Sequence, residues 1–255
     1  MKRVVLLFFI LSLIAALAGC SPKGDPQETL KTFYNNVMDA NYDAAYEILA
    51  EADRKATSKE DFVLFMRLNA DLYKLNGVEI IQTDNNSDSV VFDVVEKLLD
   101  IDKDKEESVS YKCSVVAENG EWKVFSDKKY GEGIPALQNS IGWLYINGTK
   151  IEGRNENEAA KWFHEALKRD ASYYQAHYGL SIAYASLGRY EEAIAAAKQF
   201  VSSTEGKKEQ AGGYNVIGIC YEVMKDFVKA KEAYQKAVEL DPTNENAMAS
   251  LARVK

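Results

Sequence analysis

The sequence predicts two folded parts, an α+β domain with helices on an antiparallel sheet and then an all-α solenoid of helical repeats. Two patterns along the 255 residues indicate this order. Up to about residue 130, apolar residues first recur at helical spacing and then alternate as they do in strands. From about residue 136, alanine recurs at intervals of 34 and 37 residues, which is typical of stacked helix pairs.

The first residues differ in composition from everything that follows. Lys2 and Arg3 supply positive charge, and residues 4–17 are an almost unbroken apolar run. This arrangement is that of a secretory signal peptide, because the run is shorter than the roughly 20 apolar residues that span a bilayer. The alternative is an uncleaved anchor.

The end of this run, Leu17-Ala18-Gly19-Cys20, resembles the bacterial lipobox. That resemblance implies removal of residues 1–19, a lipid on the Cys20 sulfur and a tether over 20–25. It also implies attachment to the cell membrane or the outer membrane on the extracytoplasmic side. Without cleavage, the cysteine would be incidental.

Charge and cysteine content exclude some classes of function. The net charge is −8, and residues 24–130 alone carry 13 basic and 23 acidic groups. An acidic surface repels phosphate backbones, so no nucleic-acid partner is expected. Cys113 and Cys220 lie far apart in sequence, and we expect two buried free thiols without a disulfide framework.

Helices are predicted at the start of the α+β domain, which we place at 26–130. Asp25 followed by Pro26 is a strong helix start, with Glu28 three residues after the cap. A break near Asn41 separates a second helix, and Ser58 begins a third.

Strands follow after Gly77. Residues 78–83 read as the first strand, a longer strand covers Val91 to Leu99, and the charge run 102–107 reads as a turn. A third strand carries Val109, Tyr111, Cys113 and Val115, and Asn119-Gly120 is a hairpin signal before the last strand.

This order of elements resembles the nuclear-transport-factor-two-like, or cystatin-like, cone found in small bacterial lipoproteins. The patterns that carry the resemblance are Phe33-Tyr34, the run from Asn41 to Tyr46 and the closing run from Gly120 to Val124. The resemblance implies a pocket, and a few members are isomerases with a carboxylate base and a phenol donor. Asp93, Tyr111 and Asp71 are the candidates here, although their spacing does not make them converge.

Residues 131–135, with two glycines and a proline, are predicted to link the two domains. The repeats then occupy 136–255. We place their boundaries at 136–172, 173–210 and 211–244, with a capping helix at 245–255.

The repeats are recognised by small and aromatic residues at fixed spacing. The same pattern, an aromatic residue three positions before an alanine, occurs in the segments Leu187 to Ala193 and Met224 to Ala230. The pattern resembles the tetratricopeptide repeat, in which small residues let helices approach and aromatics fill the space beside them. Ser181 stands where the other repeats have glycine, and extra residues fall in 147–155. Repeat-packing roles are expected for Gly142, Tyr145, Ala159, Phe163, Ala166, Tyr184, Gly188, Ala193, Gly218, Tyr221, Ala230, Tyr234, Ala237 and Pro242.

The resemblance implies a concave face, lined by the first helix of each pair, that holds a peptide or a partner helix. Tyr178 and Asn215 should grip such a segment together. The face lacks the several basic residues of a clamp for acidic tails, so an apolar or mixed ligand is expected. Alternatively, Trp143 and Ile182 pack between repeats, or the first domain covers the groove. The expected groove residues are Asn139, Trp143, Gln175, Tyr178, Ile182, Asn215, Ile219 and Glu222.

Two hypotheses for function follow. In the first, the chain is a non-enzymatic lipoprotein scaffold that binds a protein or peptide through its repeats, without cofactor or metal. His164 and His177 are the only histidines, and no phosphate-binding or nucleophile motif occurs. In the second, the α+β domain binds or transforms a small apolar molecule and the repeats dock it to an envelope complex. A closed cavity in residues 24–130 with two convergent carboxyl or phenol groups would favour the second hypothesis, and an apolar, plugged interior would favour the first.

Overall fold

The computed structural model describes residues 22–148 and 153–254. They form two compact units, the first made of residues up to Asp100 and from Asp104 to Gly131, the second mainly of residues from Glu132 onward. The predicted signal peptide and Cys20 lie outside the described residues. Of the helices in the described ranges, none is long and apolar enough to cross a membrane.

The first unit begins with helices. Asp25 caps the first by accepting a hydrogen bond from the Gln27 N–H at 2.8 Å, and Ser58 caps the last by accepting one from the Asp61 N–H at 3.1 Å. One short helix was not expected, because six residues are too few to show apolar periodicity. The helices are α1 (Pro26–Met38), α2 (Tyr42–Ile48), α3 (Glu51–Ala56), which is the unexpected one, and α4 (Lys59–Leu72).

A four-stranded antiparallel sheet follows, with strands in the order of the chain: β1 (Tyr73–Asn86), β2 (Ser89–Asp100), β3 (Lys105–Glu118) and β4 (Glu121–Phe125). Asn119 and Gly120 form the last hairpin turn with positive φ values of 52° and 78°, as the sequence predicts. Two expected boundaries were wrong. β1 starts five residues before Val78, and Lys105 to Glu107 of the charge run belong to β3, because pairing with β2 continues that far.

The core of the first unit lies between its helices and one face of the sheet. Phe62 is fully buried there, and its ring contacts Tyr130 edge to face at a centroid distance of 4.9 Å. Alternate residues of β2 enter this core, including Val90, Phe92 and Val94. The predicted α+β class is confirmed.

The second unit is a run of antiparallel helix pairs, in agreement with the predicted all-α class. Residues 131–135 are helical, although we expected a linker there. Burial of Ile134 and Pro135 provides the packing that offsets the weak helix propensity of glycine and proline. The helices are α5 (Tyr130–Asn147), α6 (Glu156–Arg169), α7 (Tyr174–Ser186), α8 (Tyr190–Ser203), α9 (Lys207–Val223), α10 (Phe227–Leu240) and α11 (Glu245–Arg253).

Small residues allow these helices to approach closely. A Cβ atom at Gly142 would lie 2.6 Å from the Phe163 ring, and one at Gly218 would lie 2.5 Å from the Tyr234 ring. In the middle pair this role falls to Gly179, whose Cβ would lie 2.3 Å from Phe163, and not to the position of Ser181. Ser181 is buried and donates a hydrogen bond to the Tyr178 carbonyl at 2.7 Å.

The other expected packing residues fall into three groups. Gly188 has φ +75° between α7 and α8, and Pro242 is exposed after α10. Tyr184 is buried, while Tyr145 and Tyr221 are partly buried against the core. The fully buried members are Ala159, Phe163, Ala166, Ala193, Ala230, Tyr234 and Ala237.

Candidate functional site

A concave pocket of about 540 Å³ opens on the second unit. The first helices of three successive pairs, α5, α7 and α9, contribute most of its wall, and α8 contributes one aromatic. We call this pocket the groove. Its lining residues are Asn139, Trp143, Tyr174, Gln175, Tyr178, Phe200, Lys208, Glu209 and Gly212.

Aromatic rings form one wall of the groove. Tyr178 is central, with its ring centroid 6.0 Å from that of Trp143 and 4.9 Å from that of Phe200. Tyr174 continues the row at 5.9 Å from Phe200. Gly212 leaves space beside the Tyr178 hydroxyl, since a Cβ there would lie 3.7 Å from it. Such a row offers a large, rigid and mostly apolar contact area.

The polar groups of the groove are few. Asn139 is 9% exposed, and its Oδ1 atom has no hydrogen-bond partner among the described residues. A buried acceptor without a donor costs roughly 1–3 kcal/mol, so a bound donor would be stabilising there. Lys208 and Glu209 are the charged lining residues, and their charges cancel.

Four of the eight predicted groove residues line the groove, namely Asn139, Trp143, Gln175 and Tyr178. The other four lie outside it. Ile182 packs against the core and Ile219 is 40% exposed.

The two polar members of that second set make other contacts. Glu222 accepts hydrogen bonds from Arg253 at 2.8 and 2.9 Å and from Tyr234 at 2.7 Å, so it joins α9 to α10 and α11. Asn215 has a buried Oδ1 atom without a partner in the described ranges. Tyr178 and Asn215 therefore do not line the same pocket, and the pair expected to grip a peptide is instead Tyr178 with Asn139.

Sequence reasoning missed several lining residues. The sequence prediction used only the first helix of each pair, so it left out Phe200, which lies on the second helix α8. It also omitted Tyr174 and Gly212, although both lie on first helices. The available signal was that Phe200 stands where the other two repeats have an alanine, Ala166 and Ala237. Lys208 and Glu209 lie in the first turn of α9.

The histidines serve packing in this structure. His164 Nε2 lies 2.6 Å from the Tyr184 hydroxyl. Burial lowers the pKa of His177, and His164 nearby lowers it further, so His177 is neutral at pH 7. Within the described ranges, no group of three or more potential ligands could hold a metal ion.

The first unit contains a smaller, partly open cavity of about 220 Å³ between α1, α4 and the sheet. Two phenols and a carboxyl group meet at this cavity: Tyr34 is hydrogen-bonded to Tyr111, and Tyr111 donates to Glu96 Oε1. Of the three expected candidates, only Tyr111 lines it. Asp93 forms an exposed ion pair with Lys112 at 2.9 Å, and Asp71 lies on the exposed side of α4.

Tyr34 and Glu96 were not expected at this cavity. Tyr34 read as part of a helical apolar face, and Glu96 as one polar residue of an alternating strand. The signal that could have found Glu96 is its position in β2, since Glu96 and Val94 point to the same face and Val94 is fully buried.

Comparison with known families divides the chain in the same way. Residues 25–127 match the family described as NTF2-like N-terminal transpeptidase domain. Residues 174–206 and 211–244 match tetratricopeptide repeat families.

Curated relatives share the repeat segment. The chain is 32% identical over 104 residues to an Hsp70-Hsp90 organising protein of Plasmodium falciparum, covering 41% of this chain and 40% of that protein. It is 37% identical over 109 residues to the Hsp70-Hsp90 organizing protein of Triticum aestivum, and this match covers 43% of this chain and 18% of that protein. The chain thus spans less than half the length of these relatives.

Two solved structures are also similar. The first is the first TPR of Spaghetti (RPAP3) bound to the HSP90 peptide SRMEEVD, with 18% sequence identity and a TM-score of 0.42, and the match covers 48% of this chain and 90% of that chain. The second is the Sgt2 TPR domain from Aspergillus fumigatus, with 19% identity and a TM-score of 0.42, and the match covers 47% of this chain and 76% of that chain. From the family matches, residues 25–127 are an NTF2-like domain, and residues 174–206 and 211–244 are tetratricopeptide repeats.

Proposed function

We propose that this chain is a non-enzymatic, membrane-anchored scaffold whose repeats hold an extended segment of a partner protein in the groove. The observation that carries the proposal is the unpaired Oδ1 atom of Asn139 beside a row of aromatic rings. A scaffold of this kind needs affinity for another protein and no chemical step.

An extended peptide supplies what the groove lacks. Each non-proline residue of a peptide brings a backbone N–H, and one such donor would satisfy the Asn139 carbonyl oxygen. Side chains of the same peptide would cover Trp143, Tyr178 and Phe200. Area from rigid aromatics and one well-placed hydrogen bond is a common basis of hot spots in binding.

The charge of the groove argues for a neutral ligand. With Lys208 next to Glu209, the lining has no net charge to attract an acidic tail. The curated relatives are named as organising proteins for Hsp70 and Hsp90, which supports a protein as the partner. We expect the partner segment to be apolar or aromatic and without a cluster of acidic residues.

The membrane anchor rests on the sequence pattern that ends at Cys20. A diacylglycerol on this cysteine would bury two chains at about 0.8 kcal/mol per methylene, which is enough for stable attachment. The test is metabolic labelling with a radioactive fatty acid. The parent chain should be labelled and Cys20→Ser should not; equal labelling of the variant would remove the anchor from the proposal.

The groove is tested by selecting random seven-residue peptides on the purified chain. Selected peptides should be rich in aromatic and aliphatic residues and should bind more tightly than the acidic peptide SRMEEVD. Asn139→Leu should weaken binding of the selected peptides about ten-fold or more, since one donor loses its acceptor.

The chain offers a matched control for this variant. Gln138 is also buried with an unpaired side-chain oxygen, but it does not line the groove. Gln138→Leu should leave peptide affinity unchanged, and neither variant should lower the melting temperature, because each removes an unsatisfied acceptor. Selection of acidic peptides, or equal effects of both variants, would contradict the proposal.

A further inference from the structure

The cavity of the first unit has a polar end and an apolar body. The hydroxyl groups of Tyr34 and Tyr111 and the carboxyl group of Glu96 form the polar end. Apolar side chains, among them Val37, Leu75 and Leu98, form most of the remaining lining. Tyr34 is only 4% exposed, so this hydroxyl pair is not an ordinary surface contact.

Counting protons shows what the polar end can still bind. A tyrosine hydroxyl has one proton and two lone pairs. Tyr111 gives its proton to Glu96, so Tyr34 must be the donor in the bond between the two phenols. The Tyr34 oxygen then retains its lone pairs, and Glu96 retains its second carboxyl oxygen.

Ser126 and Tyr130, which also line the cavity, are already paired. Tyr130 donates to the Ser126 hydroxyl at 3.0 Å, and Ser126 donates to Asp53 at 3.2 Å. The Lys128 ammonium lies 4.0 Å from the centre of the Tyr111 ring, where a cation is attracted by the ring face. Among the described residues, Glu96 has no ion-pair partner. Two acceptors at the polar end are therefore left for a ligand.

We infer that this cavity binds a small, uncharged, mainly apolar molecule of one or two rings that donates one hydrogen bond from a hydroxyl or N–H group to Tyr34 or Glu96. Size supports the number of rings. A cavity of about 150 Å³ holds benzene, and drug-sized ligands need about 300 Å³ or more, so 220 Å³ lies between them.

Protonation of the phenols agrees with an uncharged ligand. Burial raises the pKa of both Tyr34 and Tyr111 well above that of free tyrosine, and the Glu96 carboxylate raises both further. Both phenols are therefore neutral at pH 7. The Lys128 ammonium already lies over the Tyr111 ring, where it would repel a second cation.

The experiment compares two probes of nearly equal size on the purified full chain, followed by fluorine NMR. 4-Fluorophenol carries one O–H donor, and fluorobenzene carries none. 4-Fluorophenol should bind about ten-fold more tightly than fluorobenzene, because it alone can donate a hydrogen bond to the buried acceptor, and one such bond is worth about this factor in affinity. Methyl resonances of Val37, Leu75 and Leu98 should shift on addition of either probe.

Variants of the chain, measured with the same two probes, then identify the acceptor. One of the two variants Tyr34→Phe and Glu96→Leu, the one that removes the acceptor, should reduce the preference for 4-fluorophenol to near one. Tyr42→Phe, outside the cavity lining, should leave the preference intact, and a preference that survives both acceptor variants would overturn the inference. Equal binding of the two probes by the parent chain, or methyl shifts confined to other residues, would overturn the inference without any variant. If neither probe binds, the inference is also wrong, while the groove proposal is untouched.

Discussion

The two units of this chain treat buried polar groups in opposite ways. In the first unit, Tyr34, Tyr111 and Glu96 are joined to one another at a small cavity. In the second, the buried amide of Asn139 has an unpaired oxygen in a groove open to solvent. An internally paired network suits a small ligand that adds one bond, whereas an open acceptor suits a chain that brings its own donors.

Packing differs between the units as well. Large side chains such as Phe33, Phe62 and Phe92 fill the core of the first unit. In the second unit, one aromatic is enclosed by alanines and glycines of neighbouring helices, as Phe163 is by Gly142 and Gly179. Single positions in the second unit should therefore be unusually sensitive both to loss and to gain of atoms.

The largest effect is expected from Phe163→Ala. This side chain is fully buried and contacts Trp143 edge to face at 5.7 Å between ring centroids. Its removal should lower the free energy of unfolding by about 3–5 kcal/mol, measured by urea unfolding with circular dichroism. Phe227→Ala is the control, because Phe227 is 53% exposed, and a change there should stay within about 0.5 kcal/mol. Similar losses at both positions would contradict the packing described here.

A pair of helical glycines should give effects of opposite sign. Gly179→Ala brings a Cβ atom to 2.3 Å from a buried ring and should lower the free energy of unfolding by about 1–3 kcal/mol. At Gly212 the nearest contact of a Cβ atom is an ordinary 3.7 Å, so Gly212→Ala should raise it by about 0.5–1 kcal/mol. Thermal and urea unfolding of both variants check this, and stabilisation by Gly179→Ala would show that α6 and α7 are farther apart.

The pH dependence of stability should separate the units. Burial of Asp53 raises the pKa of its carboxyl despite hydrogen bonds from Ser126. The folded first unit then holds this proton more tightly than the unfolded chain, so its stability falls as pH rises from about 3.9 through the raised pKa. Hydrogen bonds from Arg253 lower the pKa of Glu222, with Tyr234 adding to the effect. That contribution is present above about pH 4.3 and is lost as pH falls through the lowered pKa.

Two substitutions test these opposite slopes. Asp53→Asn should remove the fall with rising pH, and Glu222→Gln should remove the loss on acidification. Hydrogen exchange measured between about pH 2.5 and about pH 6 covers both titrations and reports on each unit separately. A stability profile that neither variant changes would show that these carboxyl groups titrate as they do in the unfolded chain.

The smallest effect is expected from thiol reagents, which should not distinguish the units. Burial raises the pKa of Cys113 to about 12 and that of Cys220 to about 11, and both are free. Neither thiolate is populated at pH 7.5, so labelling by iodoacetamide should be slow and should become fast in urea. Fast labelling of one cysteine in the native chain would show that its unit opens locally.

Local signals in the sequence predicted most of the fold. Asp25 and Ser58 act as caps, and Asn119 with Gly120 makes the hairpin, because each depends only on neighbouring residues. Residues 131–135 were wrongly predicted to be a linker, because the prediction used the weak local helix propensity of glycine and proline. Burial of Ile134 makes these residues helical instead.

The sites were harder to predict than the elements. Helical projection found Trp143 and Tyr178, which repeat the spacing of the first helices. It could not find Phe200, whose position depends on how α8 packs against α7. Nor could it connect Tyr34 with Glu96, which lie 62 positions apart along the chain. Tyr111 bonds to both, and it does so only because α1 packs on the sheet.

Site-specific photo-crosslinking tests the central claim, that the groove is where a protein partner binds. The photo-reactive residue benzoylphenylalanine replaces either Gln175, which lines the groove, or Gln235, which is exposed on α10. Irradiated cells should give a crosslinked protein from position 175 that disappears when Asn139→Leu is added, and none from position 235. Crosslinks from position 235 but not from 175, or crosslinks from 175 that persist in the Asn139→Leu background, would contradict it.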